Sequence, residues 1–164
     1  MKSEASVVEA IETYGDTIKR ICMVYLKNQA DTEDIFQNVF IKYATQSPLF
    51  DSKEHEKAWL IRVTINECKD FLKSFYKSHF VFNRDEVIHN QLSVSIDTGS
   101  NELLDAVLSL PSKYREVLYL FYYEEYSAVE IAELLNKNPN TIYTRLARSR
   151  DLLKVKLGES SNGK

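Results

Sequence analysis

Four polar side chains near the C-terminus recur at the spacing of one helix face. Thr141, Thr144, Arg145 and Arg148 are three, one and three residues apart, and Tyr143 lies at their border. Residues with this spacing share one side of an α-helix. Hydroxyl and guanidinium groups there can hydrogen-bond to base edges, and further bases along the helix can hold phosphates. The spacing therefore predicts a helix that binds nucleic acid.

The segment from Asn136 to Lys156 has a charge opposite in sign to that of the whole chain. The 164 residues have a net charge of -3, yet the bases between Asn136 and Lys156 are opposed only by Asp151. Those bases are Lys137, Arg145, Arg148, Arg150, Lys154 and Lys156. The alternative explanation is a solvated helix in which the basic residues interact favourably with the negative, C-terminal end of the helix dipole. Acids outnumber bases between Glu102 and Glu133, and this local reversal favours nucleic-acid binding.

A second polar stripe occurs in the N-terminal half of the chain. Arg62, Asn66, Lys69 and Lys73 recur at i, i+4, i+7 and i+11. The other face of this predicted helix is apolar and carries Trp59, Leu60, Val63, Phe71, Leu72 and Phe75. Taken alone, the stripe is typical of a solvated helix face. Two basic faces on separate helices instead favour an extended nucleic acid that is contacted at two places.

The elements that must position these faces are predicted from apolar periodicity and capping signals. A capping box of Ser6 and Glu9 is expected to open the first helix. The four N-terminal helices are a short one ending near Gly15, one carrying Ile18 to Tyr25, one capped by Asp31 or Thr32, and one from about Glu56 to Tyr76. The segment "QSPLFDSKEHE" before the fourth helix is expected to be a loop.

The C-terminal part is predicted to be a second helical unit. Asn101 and Ser112 are expected to cap its first two helices, and Ser127 with Glu130 forms a capping box. Asn138 is expected to cap the last helix, with Pro139 in its first turn. Two helices joined by "NKN" have the layout of a helix-turn-helix, in which Asn136 or Asn138 adopts the left-handed backbone.

The fold class is therefore all-α, with two small helical domains joined by a flexible linker. The domain boundaries are residues 1–77, a linker over 78–101, and residues 102–164 with the helix-turn-helix. A linker of about twenty residues is long for a loop inside one compact domain.

Composition argues against several other classes of protein. The N-terminus lacks the apolar core of a signal peptide, and no apolar run reaches membrane-spanning length, so a cytoplasmic protein without membrane insertion is expected. Cys22 and Cys68 are expected to be buried, reduced thiols. The histidines are scattered, and no Gly-rich phosphate loop, triad pattern or paired-carboxylate site occurs. No metal or cofactor is predicted, and an enzyme is poorly supported.

Three ordered segments resemble the extracytoplasmic-function group of bacterial sigma factors. They are "ADTEDIFQNVFIKYA", "AWLIRVTINECKDFLKS" and "LLDAVLSLPSKYREVLYLFYYEEYSAVEIAELLNKNPNTIYTRLARSRDLLK". The resemblance implies an initiation factor without catalytic activity that binds core RNA polymerase, directs it to promoter DNA and helps to open the duplex. The N-terminal unit would grip the polymerase clamp and read the -10 element. The C-terminal unit would contact the flap and read the -35 element.

The resemblance also assigns roles to individual residues. Core polymerase would be bound by Asp34, Gln37, Asn38 and Phe40, where the family usually has an acid at the position of Asn38. The -10 element would be bound by Arg62, Asn66, Lys69 and Lys73, after a loop that cradles an unstacked base. The -35 element would be bound by Thr141, Tyr143, Thr144, Arg145 and Arg148, where Tyr143 replaces a common basic residue.

Protein partners are expected as well as DNA. The overall negative charge predicts weak DNA binding by the chain alone, and the resemblance suggests an anti-sigma factor that hides both DNA faces. The second hypothesis is a stand-alone helix-turn-helix regulator that dimerises through its N-terminal unit. Such a regulator would bind duplex promoter DNA without polymerase, whereas a sigma factor would need core enzyme for specific binding.

Overall fold

The computed structural model describes residues 1–78 and 102–162, with side chains in the second range described to residue 158. Every regular element in these ranges is helical, which confirms the all-α prediction with two helical domains. The helices are α1 (Glu4–Leu26), α2 (Gln29–Gln46), α3 (Lys53–Ser78), α4 (Glu102–Leu108), α5 (Ser112–Leu118), α6 (Ala128–Leu135) and α7 (Pro139–Asn162). A π-helical turn, Tyr119–Tyr123, continues α5. Apart from Ser78, the predicted linker lies outside the described residues.

The first unit is a bundle in which α1, α2 and α3 each pack on the other two. Its core consists of apolar side chains from all three helices, including Ile18, Ile21, Val39, Leu60, Ile61 and Ile65. Cys22 and Cys68 are free and buried, as predicted. A hydrogen bond between these two thiols and the burial of Cys68 raise the pKa of Cys68. Because the thiolate is the reactive form, this thiol is a structural group.

The predicted break at Gly15 is wrong, because α1 runs without interruption from Glu4 to Leu26. The predicted capping box is also wrong, since Ser3 is the N-cap and accepts a hydrogen bond from the Ser6 N–H at 3.1 Å. Glycine in a helix interior costs about 0.5–1 kcal/mol relative to alanine. Gly15 is buried against Phe36, so tertiary packing outweighs this local preference.

The starts of α2 and α3 lie earlier than the sequence pattern predicted. Asn28 caps α2 by accepting a hydrogen bond from the Asp31 N–H at 2.8 Å. Lys27, which ends α1, has a left-handed backbone with φ of 60°, so the turn between α1 and α2 is very short. The hydroxyl of Ser52 accepts a hydrogen bond from the His55 N–H at 3.0 Å, next to the start of α3. Local caps therefore set these boundaries, not the first apolar residue of each face.

In the second unit, α7 packs against α4, α5 and α6. The predicted capping box of Ser127 and Glu130 is confirmed at the start of α6. Pro139 opens α7, and Asn138 Oδ1 accepts a hydrogen bond from the Asn140 N–H at 2.8 Å, as the sequence indicated. Ser112 is the first residue of α5 and not its cap, because Pro111 holds that position. Asn101 lies outside the described residues.

Candidate nucleic-acid and polymerase interfaces

The polar stripe of α3 lies on the side of the helix that is turned away from the core of its unit. Arg62, Asn66 and Lys73 are exposed, and Lys69 is partly buried. The buried residues of α3 are Leu60, Ile61, Thr64, Ile65 and Cys68. The structure thus brings all four predicted residues onto one surface, the α3 face. It extends about 16 Å along the helix at a rise of 1.5 Å per residue.

Two acids of α3 lie beside this face: Asp70, which is exposed, and Glu67, which is paired with another helix. Glu67 forms an ion pair with Lys42 of α2, and only 15% of its side chain is exposed. Its charge is therefore directed towards the α2–α3 contact. Arg62, Lys69 and Lys73 outnumber Asp70, so the α3 face is predominantly basic.

The loop before α3 presents one apolar side chain to solvent and packs another. Leu49 is 90% exposed. Phe50 stacks on Tyr43 with ring centroids 6.2 Å apart and meets Trp59 edge to face at 5.8 Å. The Lys2 ammonium lies 4.8 Å from the Phe50 centroid and donates a hydrogen bond to the Pro48 carbonyl at 3.2 Å. The loop is therefore anchored at Phe50 while Leu49 projects.

A hydrogen-bond network around Glu56 fixes the start of α3 against α1 and α2. The Glu56 carboxylate accepts hydrogen bonds from the Tyr14 hydroxyl at 3.0 Å and the Tyr43 hydroxyl at 2.7 Å. The Lys53 ammonium lies 3.8 Å from the same carboxylate, which is 14% exposed. Burial and the hydrogen bond to Glu56 raise the pKa of Tyr14 to about 12, and the same two causes raise the pKa of Tyr43.

The residues assigned to polymerase binding on α2 divide between surface and core. Asp34, Gln37 and Asn38 are exposed. Phe40 is only 5% exposed and packs on Phe36 with ring centroids 4.9 Å apart. Its part in polymerase binding stays a prediction, and its side chain is a core side chain of the first unit.

Ile41 was missed by the sequence analysis and lies beside the exposed members of that group. It is 59% exposed, seven residues after Asp34 and three after Asn38. Asp34, Gln37, Asn38 and Ile41 therefore form one surface, the α2 face. The i, i+3, i+4, i+7 spacing that defined the other faces was available for this one too.

The helix-turn-helix is formed by α6, α7 and the three residues between them. Asn136 has the left-handed backbone that the sequence allowed, with φ of 54°. Ile131, Leu135, Ile142 and Leu146 are buried, so both helices are held by apolar contacts on their inner sides. The predicted motif is confirmed. The N-terminal half of α7 presents its polar side outwards.

That outer side of α7, the α7 face, contains the five residues assigned to the -35 element. Tyr143 is 56% exposed, Thr144 and Arg148 are exposed, and Thr141 is partly buried. Arg145 differs, because only 21% of its side chain is exposed. Its Nη1 atom lies 3.6 Å from Oε1 of Glu116, whose side chain is 3% exposed. Glu116 was not predicted from the sequence, since a pairing between α5 and α7 has no signal in the spacing within either helix.

Comparison with known proteins agrees with these two units. The model of sigma-70 region 2 matches residues 10–75, and the model of sigma-70 region 4 matches residues 100–153. The chain is 29% identical over 164 residues to the ECF RNA polymerase sigma factor SigW of Bacillus subtilis, which covers 91% of this chain and 87% of SigW. The chain belongs to the extracytoplasmic-function group of the sigma-70 family. This sigma factor acts with RNA polymerase in promoter recognition.

Two further comparisons cover nearly the whole sigma factor. It is 29% identical over 159 residues to the RNA polymerase sigma factor SigV of Bacillus subtilis, over 94% of this chain and 93% of SigV. The solved structure of the sigma factor RpoE from Bartonella quintana, in complex with the anti-sigma factor NepR, has a TM-score of 0.69 and 19% identity. That match covers 92% of this sigma factor and 95% of RpoE, and it shows a shared fold.

An aromatic surface occurs where α5 passes into the π-helical turn of the sigma factor. Tyr122 and Tyr123 are 55% and 58% exposed, whereas Leu118 and Leu120 are buried. Tyr123 stacks on Tyr119 with ring centroids 5.2 Å apart. The segment assigned to the flap by resemblance therefore combines a packed inner side with exposed tyrosines.

The described part of the sigma factor contains neither a metal-ligand cluster nor a membrane-spanning helix. Across residues 1–78 and 102–162, no cluster of three or more His, Cys, Asp or Glu side chains is placed to hold a metal ion. None of the helices in those ranges combines the length and the apolar character that crossing a membrane requires.

Proposed function

We propose that the α7 face reads the -35 element and that the α3 face binds the -10 element while core RNA polymerase holds other surfaces of the two units. The observation that carries this proposal is the placement of a cationic, outward-facing helix surface on each of two separately packed helical units. Phosphate contacts supply affinity, and side chains at base edges supply the sequence preference.

The α7 face has the properties of a major-groove reader. It follows a short turn, and its polar residues lie in the first half of α7, where a recognition helix contacts bases. Arg148 is exposed and can donate two hydrogen bonds to guanine, and Thr144 can contact either type of base pair. Tyr143 adds an exposed ring next to them.

The α3 face and the preceding loop are suited to a strand that has left the duplex. Arg62, Lys69 and Lys73 supply positive charge for contacts with the DNA backbone. Leu49 projects from the loop that precedes α3. Contacts with unstacked bases compensate for the stacking energy lost on opening. The anchoring of Phe50 holds the loop ready before DNA arrives.

The α2 face is the proposed contact with the polymerase clamp. The exposed Ile41 provides an apolar centre, and polar groups are provided by Asp34, Gln37 and Asn38. Such a combination is typical of a protein interface. Phe40 supports this face from inside through Phe36 and Tyr43. Tyr122 and Tyr123 are the proposed contact with the flap.

The remaining parts of the proposal concern regulation and location. An anti-sigma factor would cover both cationic faces and so block promoter binding. The sigma factor itself would perform no catalytic step and would act in the cytoplasm, where core polymerase and the chromosome are found.

Run-off transcription with purified core polymerase across a promoter library tests the proposal. Transcripts from a subset of promoters with shared -35 and -10 sequences are the expected result, with no transcripts when core is used alone. A parallel gel-shift assay without core polymerase distinguishes the sigma factor from a stand-alone regulator. Tight, specific binding of duplex promoter DNA in that lane, with no transcription in the presence of core, would overturn the proposal.

A further inference from the structure

We propose that Glu116 is a positioning residue that holds Arg145 in one orientation and thereby sets the sigma factor's base preference within the -35 element. This inference rests on the proposed function, in which the α7 face reads that element. Glu116 belongs to α5, outside the helix-turn-helix itself. The geometry that supports it is the ion pair beneath the DNA-facing side of α7.

The pair links a buried carboxylate with a mostly covered guanidinium. Glu116 is 3% exposed and Arg145 is 21% exposed, with 3.6 Å between Oε1 and Nη1. A carboxylate removed from water is stable only when charged or hydrogen-bonding partners compensate for its lost hydration. Arg145 is one such partner of Glu116, and this ion pair restricts the guanidinium before DNA binds.

One carboxylate does not use up the hydrogen-bonding capacity of arginine. The guanidinium carries five N–H donors in a rigid plane, so contact with Glu116 leaves donors for a second acceptor. Guanine presents two acceptors, O6 and N7, in the major groove. A guanidinium anchored from below can meet such an edge in only a few positions, and so it discriminates between base pairs.

Arg148 provides the contrast on the same face. It lies three residues further along α7 and is exposed, whereas Arg145 is mostly covered. An exposed arginine takes its orientation only from the acceptor that it meets on the DNA. A restricted arginine loses binding energy when the base that it contacts is replaced by another. Its mutation therefore changes the base preference more than the overall affinity for DNA.

The test is a -35 promoter library transcribed by reconstituted holoenzyme carrying Glu116→Gln, Arg145→Ala or both. Glutamine keeps the size of the side chain and removes its charge. The expected result is that Glu116→Gln lowers the preference at one base pair of the element by about ten-fold, close to the effect of Arg145→Ala. The double variant should lose no more than Arg145→Ala alone. Glu133→Gln, an exposed glutamate on α6, is the matched control and should leave the preference unchanged.

Each other outcome has a separate meaning. If Arg145→Ala lowers the preference and Glu116→Gln leaves it intact, the positioning role is wrong while the proposed function stands. If Arg145→Ala keeps the preference but binding weakens equally at all sequences with a smaller salt slope, Arg145 contacts a phosphate and the inference is also wrong. If the unchanged protein shows no -35 preference with core polymerase, the proposed function itself fails.

Protein stability does not obscure the result, because a ratio between promoters does not depend on the folded fraction. If Glu116→Gln fails to fold, Glu116→Asp retains the charge and withdraws it by one methylene. A lowered preference in that variant supports the positioning role, and an unchanged preference overturns it.

Discussion

The two units differ in how a carboxylate is related to the basic face. In the first unit, Glu56 is 14% exposed and accepts hydrogen bonds from two tyrosine hydroxyls, six residues before Arg62. In the second unit, Glu116 is 3% exposed and pairs with Arg145, a member of the α7 face. Glu56 thus fixes the backbone near the basic face, whereas Glu116 contacts the face directly.

This difference indicates two ways of presenting positive charge. Arg62 and Lys73 are exposed, so their charges can be removed without opening the core of the first unit. Removing Arg145 would leave Glu116 without its partner on α7, so charge and packing are coupled in the second unit. The predictions below test this contrast, from the largest expected effect to the smallest.

Arg148→Ala should give the largest change, because an exposed arginine on the recognition helix is lost without a penalty in the core. A bidentate contact with a base contributes about 1–3 kcal/mol, or roughly five- to 150-fold in preference for the correct -35 element. Binding of core polymerase should be unchanged in a pull-down. Arg150→Ala is the control on the same helix, since Arg150 donates to the Tyr122 hydroxyl at 3.0 Å. An equal loss in both variants would contradict a specific role for Arg148.

Lys69→Ala together with Lys73→Ala should impair DNA opening more than formation of the closed complex. Loss of two phosphate contacts should lower opening roughly ten-fold and reduce the salt slope by about 1.4 on single-stranded DNA. Permanganate footprinting of unpaired thymines measures opening. Lys19→Ala removes one positive charge from the same unit, away from the α3 face, and is the control. Unchanged opening in the double variant would exclude the α3 face from this step.

Tyr43→Phe should destabilise the first unit while leaving the salt slope of DNA binding unchanged. The lost hydroxyl donates to Glu56 at 2.7 Å, and such a hydrogen bond contributes on the order of 1 kcal/mol to the free energy of unfolding. Trp59 is the only tryptophan and lies 6.3 Å from Tyr43, so its fluorescence reports unfolding of this unit. Tyr76→Phe, at an exposed position, is the control and should have little effect.

The same network predicts a loss of stability at high pH. The pKa of Tyr14 is raised from 10.0 to about 12, and that of Tyr43 is raised as well, so the folded state retains these protons longer than the unfolded state. The contribution is complete below about pH 10 and is lost as pH rises through 12. Urea melts followed by Trp59 should show this decrease, and Tyr43→Phe should make it shallower. An equal pH dependence in both proteins would contradict the network.

Gly15→Ala should give the smallest effect, a stabilisation of the first unit by about 0.5–1 kcal/mol. An added Cβ would lie 3.5 Å from Phe36 Cζ, which is an ordinary van der Waals distance. Gly158→Ala in α7 is the matched control, because nothing lies within 4 Å of its Cβ and it belongs to the other unit. The Trp59 signal should therefore shift only for Gly15→Ala. Destabilisation at Gly15 would show that the α1–α2 contact cannot accept a methyl group.

Patterns inside single helices were predictable from sequence because they depend on local geometry. The 3.6-residue period placed Arg62 and Lys73 on one side of α3 and Thr144 and Arg148 on one side of α7, and a capping box marked the start of α6. The same period did not reveal that Ile61 and Ile65 would be buried deeper than Trp59 and Val63. A period shows which residues share a face, but not how closely that face meets its neighbours.

By itself, the sequence determined the all-α class, the helix-turn-helix, the exposed basic faces and the family resemblance, because each follows from residue types at short separations. The tertiary structure alone decided that α1 continues through Gly15, that Phe40 points inwards while Ile41 points out, and that Glu116 pairs with Arg145. These outcomes depend on contacts between helices that are distant along the chain. Burial energy gained in such contacts exceeds the local preferences that a sequence pattern displays.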